Sequence, residues 1–288
     1  MQLELAGDRP DVDVIVIGGG VNGTGVARDA ALRGLRVALF ERNDLAFGAS
    51  GNSSGMIHGG PRYLTYDPDV TYTSCLDSGH IQSIAPHLLF RIPFLMPVRK
   101  RFGSKVELFA LDAFFDLYDR YQPLKHGKPH VLLGENDVRR LEPGICGDLE
   151  GGVSFDEWGI DGARLCVENA VDAHEHGAEV RTHCTVTELV RNGDGRVTGV
   201  RFRDRLTGET GARNAQAVVN ATGGWAPLTN ALGGVSSKAA KIRPSKGIHV
   251  YFDRRLTNYA IACSAIDGRQ VFMEPWQNMT VLGTTDDD

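Results

Sequence analysis

Three glycines, Gly18, Gly20 and Gly23, stand in the spacing G-x-G-x-x-G directly after an apolar run, and an acid, Glu41, closes the next such run. The first glycine of that spacing permits a tight turn, and the second lets a pyrophosphate approach the backbone. The third lets a helix lie close on a sheet, and the acid accepts hydrogen bonds from a ribose. The elements that must position these residues are legible on either side. Val12, Val14, Ile15, Val16 and Ile17 suit a strand buried on both faces. Gly25, Ala27, Ala30 and Ala31 keep the following helix slim, Gly34 supplies its stop, and 35–40 reads as the second strand. Together these predict a cradle for an adenine dinucleotide. The competing reading is an ordinary α/β unit with a glycine-rich turn.

Residues 43–60 form a loop of small residues, in which Ser50, Asn52, Ser53 and Ser54 sit among Gly48, Gly51 and Gly55. Such backbone offers many N–H donors to a second phosphate or a flavin ring; a flexible surface loop is the alternative. A second strong signal is AVVNATGGW at 217–225, a buried strand ending in a turn with Thr222, Gly223 and Gly224, where a sheet end can touch a cofactor.

The 288 residues are 42% hydrophobic with a formal net charge of -5. That length supports one large domain or two intertwined ones, and the mild acidity disfavours nucleic acid as a partner. The five cysteines show no C-x-x-C and no Cys/His pair at zinc spacing, so no metal is expected and a reducing compartment is. No apolar run approaches a membrane span, no signal peptide precedes the first strand, and 1–10 reads as a short tail. Helices are predicted over 70–84, 106–121 and 161–176. With Pro93 and Pro97, 88–98 reads as an edge strand or an extended crossing. Shorter strands are expected at 151–155, 180–189, 197–203, 246–252, 270–273 and 279–282, a strand or turn and short helix over 132–141, and helical or loop residues up to 243. In 106–121, the residues Phe109, Ala110, Ala113, Phe114, Leu117, Tyr118 and Tyr121 fall on one face. Beside Arg99, Lys100, Arg101 and Lys105 that stripe suits either packing on the protein itself or an interfacial membrane helix.

The segments GGGVNGTGVARDAALRG, IHGGPRYL, VVNATGGW, SKGIHV and LGTTD occur in this order. In that order they resemble the FAD-dependent, quinone-linked glycerol-3-phosphate dehydrogenases of the D-amino-acid-oxidase-like superfamily. The resemblance implies an α/β fold: a Rossmann-like FAD-binding domain with a parallel sheet of the glutathione-reductase type, interleaved with an incomplete antiparallel-sheet substrate domain. The domains are expected at 1–98 with 150–232 and at 99–149 with 233–288. It implies FAD as the cofactor, with Glu41 at the adenosine ribose, Ser50, Ser53 and Ser54 near the pyrophosphate and ring, and Val186 contacting the adenine through its backbone; Arg42 and Gly59 are expected among the cofactor-binding residues, with His58 packed under the flavin. Its substrate side maps onto Arg62, Tyr63, His249 and Thr285, with Lys246 nearby. Arg62 offers bidentate geometry to a phosphate, a structural ion pair being the alternative, and His249 offers a base for the C2 hydroxyl of glycerol 3-phosphate, a satisfied buried histidine being the alternative. The implied partners are glycerol 3-phosphate and a quinone, with a homodimer and a peripheral contact on the cytoplasmic face of the cell membrane also expected; the alternatives are an amine, hydroxy-acid or glycerol-3-phosphate oxidase of the same superfamily using oxygen, or a non-catalytic FAD-binding remnant. Gly55 and Pro61 depart from the lysine and leucine common in quinone-linked members. Family members also continue past the equivalent of Asp288, so a chain lacking its carboxy-terminal part is expected.

Overall fold

The computed structural model describes residues 10–234, 242, 245–265 and 268–285. The expected tail up to residue 9, most of 235–244 and the last three acids lie outside the described residues. Contacts divide the chain into two units, Met1–Ser53 with Asp161–Pro244 and Ser54–Ile160 with Ser245–Asp288. The division therefore falls at 53/54 and 160/161 rather than at 98/99 and 149/150. Residues 54–98 join the second unit because its longest strand pair runs between 89–99 and 149–160.

The first unit is built on a six-stranded sheet. Strand β1 (Val12–Ile17) lies between β2 (Val37–Phe40) and β9 (Thr210–Asn220), parallel to both, and β2 carries β6 (Glu179–Arg181) on its far side. The sheet continues antiparallel from β9 through β8 (Val197–Asp204) to β7 (Cys184–Arg191). The two-residue alternation of β1 sorts its side chains. Val14 and Val16 meet helices α1 (Val21–Leu32) and α5 (Gly162–Glu175) through Ala27, Ala31 and Ala173. Ile15 and Ile17 meet Phe40, Val186, Val200 and Phe202 on the other face. Both faces are covered, which is why this strand is apolar throughout. The expected single strand over 180–189 is two, β6 and β7, separated by a break at His183, whose φ is +53°.

The second unit has a seven-stranded sheet in the order β10, β13, β12, β11, β3, β5, β4. Its strands are β3 (Leu89–Arg99), β4 (Val131–Gly134), β5 (Leu149–Ile160), β10 (Val250–Phe252), β11 (Ala260–Ser264), β12 (Gln270–Trp276) and β13 (Met279–Gly283). All neighbours are antiparallel except β11 and β3, so the sheet is mixed. The expectation of an edge strand at 88–98 is corrected: β3 lies inside the sheet. Its two prolines are tolerated because β11 pairs only with Phe94 and Leu95. On one face lie α2 (Pro68–Ile84), stopped before Pro86, and α3 (Ser104–Tyr118), over Phe94, Phe155 and Phe115. The other face packs Leu95, Val138, Leu149 and Ile261 with α4 (Glu135–Leu141). Helix α3 buries Phe115 and Tyr118, with Leu108, Leu111 and Phe114 partly covered, as is Tyr121 in the 3-10 segment that follows. The expected stripe is thus rotated, and Val106, Phe109, Ala110, Ala113 and Leu117 face outward.

Candidate functional site

In the first unit the glycine turn joins β1 to α1. Gly18 has φ +110°, and a methyl there would stand 2.5 Å from the carbonyl oxygen of Ala221 at the end of β9. At Gly23 a methyl would come within 1.9 Å of the Gly18 oxygen, so helix and turn are as close as backbones allow. Gly20 is the residue before the helix; a methyl there would meet only the Ser50 hydroxyl, at 3.2 Å. Ser50 Oγ accepts the Val21 N–H at 2.9 Å, one of the helix's four unpaired amides. The concave backbone thus presents N–H groups and the positive end of α1 to one place, a site suited to a pyrophosphate.

Glu41 stands at the end of β2 as the acid requires. Its Oε2 accepts the Gly19 N–H and its Oε1 the Asn43 N–H, each at 2.7 Å. The carboxylate is thereby fixed across the open end of β1, where a ribose bound to this turn would meet it. Arg42 is exposed, its guanidinium 5.7 Å from the Trp225 ring. Trp225 also covers Gly48, where a methyl would lie 3.1 Å from the indole. Thr222 is held by Asn220 Oδ1 at 2.7 Å and by the Thr229 hydroxyl at 3.0 Å, and Gly223 follows with φ +55° and open space beside it. Val186 is buried on β7 opposite Phe202, just before a bulge, and Ser53 is exposed at the end of the loop. Sequence reasoning missed an open cavity of about 440 Å³ beside Glu41 and Arg42, lined by Asn43, Asp44, Phe47, His183, Arg205 and Leu206. Arg205 donates to the Arg42 carbonyl at 2.9 Å, tying this rim to the acid's strand. No local pattern marks His183 or Arg205, which arrive from distant segments.

Ser54, His58, Gly59, Arg62, Tyr63, Lys246, His249 and Thr285 belong to the second unit. Residues 56–60 are anchored one after another. Met56 bridges Gly159, the Ile57 N–H donates to the Trp158 carbonyl at 2.9 Å, and Ser78 donates to the Ile57 carbonyl at 2.9 Å. The Gly59 N–H donates to Glu157 Oε2 at 3.2 Å, and Thr71 donates to the Gly60 carbonyl at 3.4 Å. Burial, the leading influence, pulls the His58 imidazole below its ordinary value and keeps it neutral near pH 7. Gly60 adopts the left-handed conformation that starts the 3-10 turn Pro61–Thr65. On that turn the exposed Arg62 donates to the Tyr63 phenol at 3.0 Å and lies 5.0 Å from the centre of its ring.

The structure also brings 245–250 beside 282–285. The Ile248 N–H donates to Thr285 Oγ1 at 3.1 Å, and a methyl at Gly247 would strike Thr284 Oγ1 at 2.5 Å. A methyl at Gly283 would come within 2.5 Å of the His249 ring, so that glycine makes room for the imidazole. His249 Nε2 is buried with no hydrogen-bond partner among the described residues, and Lys246 is exposed.

Residues 13–288 match the protein family described as FAD dependent oxidoreductase. The chain belongs to that family. Among relatives of this flavoprotein chain, an alpha-glycerophosphate oxidase of Enterococcus casseliflavus is 34% identical over 283 residues, spanning 96% of the chain and 46% of the relative. A glycerol-3-phosphate dehydrogenase of Mycobacterium leprae is 38% identical over 289 residues, spanning 96% and 47%. The chain therefore spans about half the length of the curated relatives it matches. The solved glycerol-3-phosphate dehydrogenase of Bacillus halodurans complexed with FAD matches at TM-score 0.72 and 28% identity, covering 96% of this chain and 47% of that one. Glycine oxidase from Geobacillus kaustophilus shares the fold at TM-score 0.70 and 21% identity, covering 97% and 73%. The tight glycines at 18 and 23, the acid at 41 and the small-residue end of β9 are residues that fit FAD.

Proposed function

We propose that this chain carries the FAD-binding part, and one portion of the substrate-binding part, of an enzyme that oxidises sn-glycerol 3-phosphate to dihydroxyacetone phosphate. The observation that carries the substrate side is His249. An unpaired buried ring nitrogen costs about 1–3 kcal/mol, and it is kept where a proton must be accepted. Gly18, Gly20 and Gly23 would hold the cofactor's pyrophosphate, Glu41 and Arg42 its ribose, and Ser50, Ser53, Ser54, His58, Gly59, Val186, Thr222 and Gly223 the remaining contacts. FAD, when bound, supplies the acceptor for the hydride that leaves C2. His249 takes the C2 hydroxyl proton at Nε2 as the carbon–oxygen double bond forms. Arg62, stiffened by stacking on Tyr63, grips the phosphate through two N–H groups, and Lys246 adds a second positive charge. Thr285 holds the Ile248 N–H and so fixes the backbone on which His249 stands.

We take a quinone as the electron acceptor and a membrane surface as the place of work. In support, Phe102, Val106 and Phe109 are exposed on and before α3 beside Lys100, Arg101 and Lys105, an apolar edge flanked by cations. No helix of the described residues is long and apolar enough to cross a membrane. Oxygen is the second reading, favoured by the oxidase relatives. The deciding experiment is the visible spectrum of the purified chain, then anaerobic addition of glycerol 3-phosphate. Flavin absorbance that bleaches is expected; a colourless protein overturns the cofactor assignment, and a colour that persists overturns the substrate assignment. Readmitting oxygen or a soluble quinone, with peroxide measured, separates the acceptors. Sedimentation with phosphatidylglycerol vesicles, lost in Phe109→Asp, tests the surface.

A further inference from the structure

Beneath the His58–Gly60 segment lies a charged network that the proposed chemistry does not use. Lys125 and Tyr118 are fully buried and Glu157 nearly so. The Lys125 ammonium donates to Glu157 Oε2 at 2.5 Å, to the Asp156 carbonyl at 2.9 Å and to the Tyr118 phenol at 3.1 Å, using all three of its protons. The phenol donates to Glu157 Oε1 at 2.6 Å, and Glu157 Oε2 also receives the Gly59 N–H. Burial drives the Tyr118 phenol well above its ordinary value, so it stays a donor. Each donor and acceptor has one assigned place.

Such a pair is a poor device for stability, since an apolar replacement of equal volume often serves as well. What it supplies is direction. Gly59 lies so close that a methyl would stand 2.2 Å from the Tyr118 oxygen and 2.4 Å from Cys75 Sγ. Gly60 then turns left-handed, with Tyr63 packed where its side chain would be, and Arg62 follows at once. Only Gly60 and Pro61 separate the anchored Gly59 from Arg62 along the chain.

We propose that Lys125, Glu157 and Tyr118 are positioning residues that fix the backbone of 57–60 and through it the aim of Arg62 at an anionic ligand. The inference rests on the reading of Arg62 as the phosphate-binding group. The test titrates glycerol 3-phosphate into the FAD-loaded chain and, separately, FAD into the apoprotein. Lys125→Met should weaken glycerol 3-phosphate about tenfold or more and FAD by clearly less, because His58 and Gly59 supply only some of the FAD contacts while Gly18, Gly20, Gly23 and Glu41 supply others. The double variant Lys125→Met/Glu157→Gln should recover most of that loss, because the glutamine oxygen still accepts the Gly59 N–H without an unpaired charge. Tyr118→Phe, which removes one oxygen, should weaken glycerol 3-phosphate by about three- to tenfold, and it decides the matter if Lys125→Met does not fold. Arg62→Ala is the control. If Arg62→Ala leaves binding unchanged, or the unaltered chain binds no glycerol 3-phosphate, the reading of Arg62 falls and takes the inference with it. If Arg62→Ala weakens binding while folded Lys125→Met or Tyr118→Phe binds like the unaltered chain, the network only supports the fold and the inference alone is overturned.

Discussion

Replacing Gly23 by alanine and, separately, Gly25 by alanine puts the same methyl at two places two residues apart on α1, with opposite expected signs. At Gly25 the new carbon meets nothing within 4 Å. Only the backbone entropy of the glycine is removed, which stabilises by about 0.5–1 kcal/mol. At Gly23 the same carbon would lie 1.9 Å from the Gly18 oxygen and 3.3 Å from the Ala221 side chain. A non-bonded contact needs about 3.5 Å, so the first turn of α1 must retreat by more than about 1 Å from the end of β1. Overpacking of that kind costs about 1–3 kcal/mol, more than the helix gain returns. The same retreat moves the Val21 amide away from the Gly18 turn, and with it the anion site. FAD affinity should therefore fall about tenfold or more in Gly23→Ala and stay within about twofold in Gly25→Ala. Thermal unfolding of the apoprotein and quenching of FAD fluorescence read the two effects independently. Equal melting temperatures and equal FAD affinities for the two variants would refute the close turn-to-helix packing on which the cradle depends.

Three other outcomes follow from the titrating groups. His130 holds Asp119 at Nδ1 (2.8 Å) and Asp112 at Nε2 (3.0 Å); burial pulls its imidazole down, but the two carboxylates outweigh it and leave it raised. This clamp should stabilise fully below the ordinary histidine value and fade as pH rises through the raised one, so melting curves of His130→Gln and the unaltered chain should converge at alkaline pH. Glu274 is buried on β12 with Oε1 unpaired among the described residues, and burial lifts its carboxyl to about 8. The fold keeps a proton that the unfolded chain releases near pH 4.3, so stability should drop between there and about 8; Glu274→Leu should remove the drop, a gain on the order of 3 kcal/mol at pH 7, seen as a difference in melting temperature that vanishes at pH 4. Of the thiols, Cys146 is exposed, whereas Cys75 and Cys184 are buried and raised to about 11. Maleimide labelling mapped by mass spectrometry should find Cys146 first and leave Cys75 and Cys184 untouched until unfolding.

What the sequence made legible is what chain neighbours encode. β1 is an uninterrupted β-branched run, the glycine spacing follows it at once, and Glu41 ends the next strand, so strand, turn, helix and acid are all found within thirty residues. Assignments failed where distant partners decide. The prolines of β3 suggested an edge, but the short overlap with β11 lets them sit inside the sheet. β11 itself, AIACS, carries no alternation strong enough to announce a strand. Helix α3 is apolar nearly all round, with Phe109, Leu111, Phe114, Phe115 and Leu117, so periodicity could not choose the buried face. The Lys125–Glu157–Tyr118 network was invisible for the same reason. Three ordinary residue types meet only because β5 brings Glu157 under the end of α3 and the turn after it.

The pairing of β1 with β9 joins Val12 to Ala215 and Ile17 to Asn220. On the ribosome the amino-terminal strand is finished long before its second neighbour exists. At about 5–20 residues per second, some 10–40 s separate the two. All of 54–160 emerges in that interval, while one side of a strongly apolar strand remains an open template for any other nascent strand. The first unit is thus a late-closing structure, in which β1 waits for β9 while 54–160 are made.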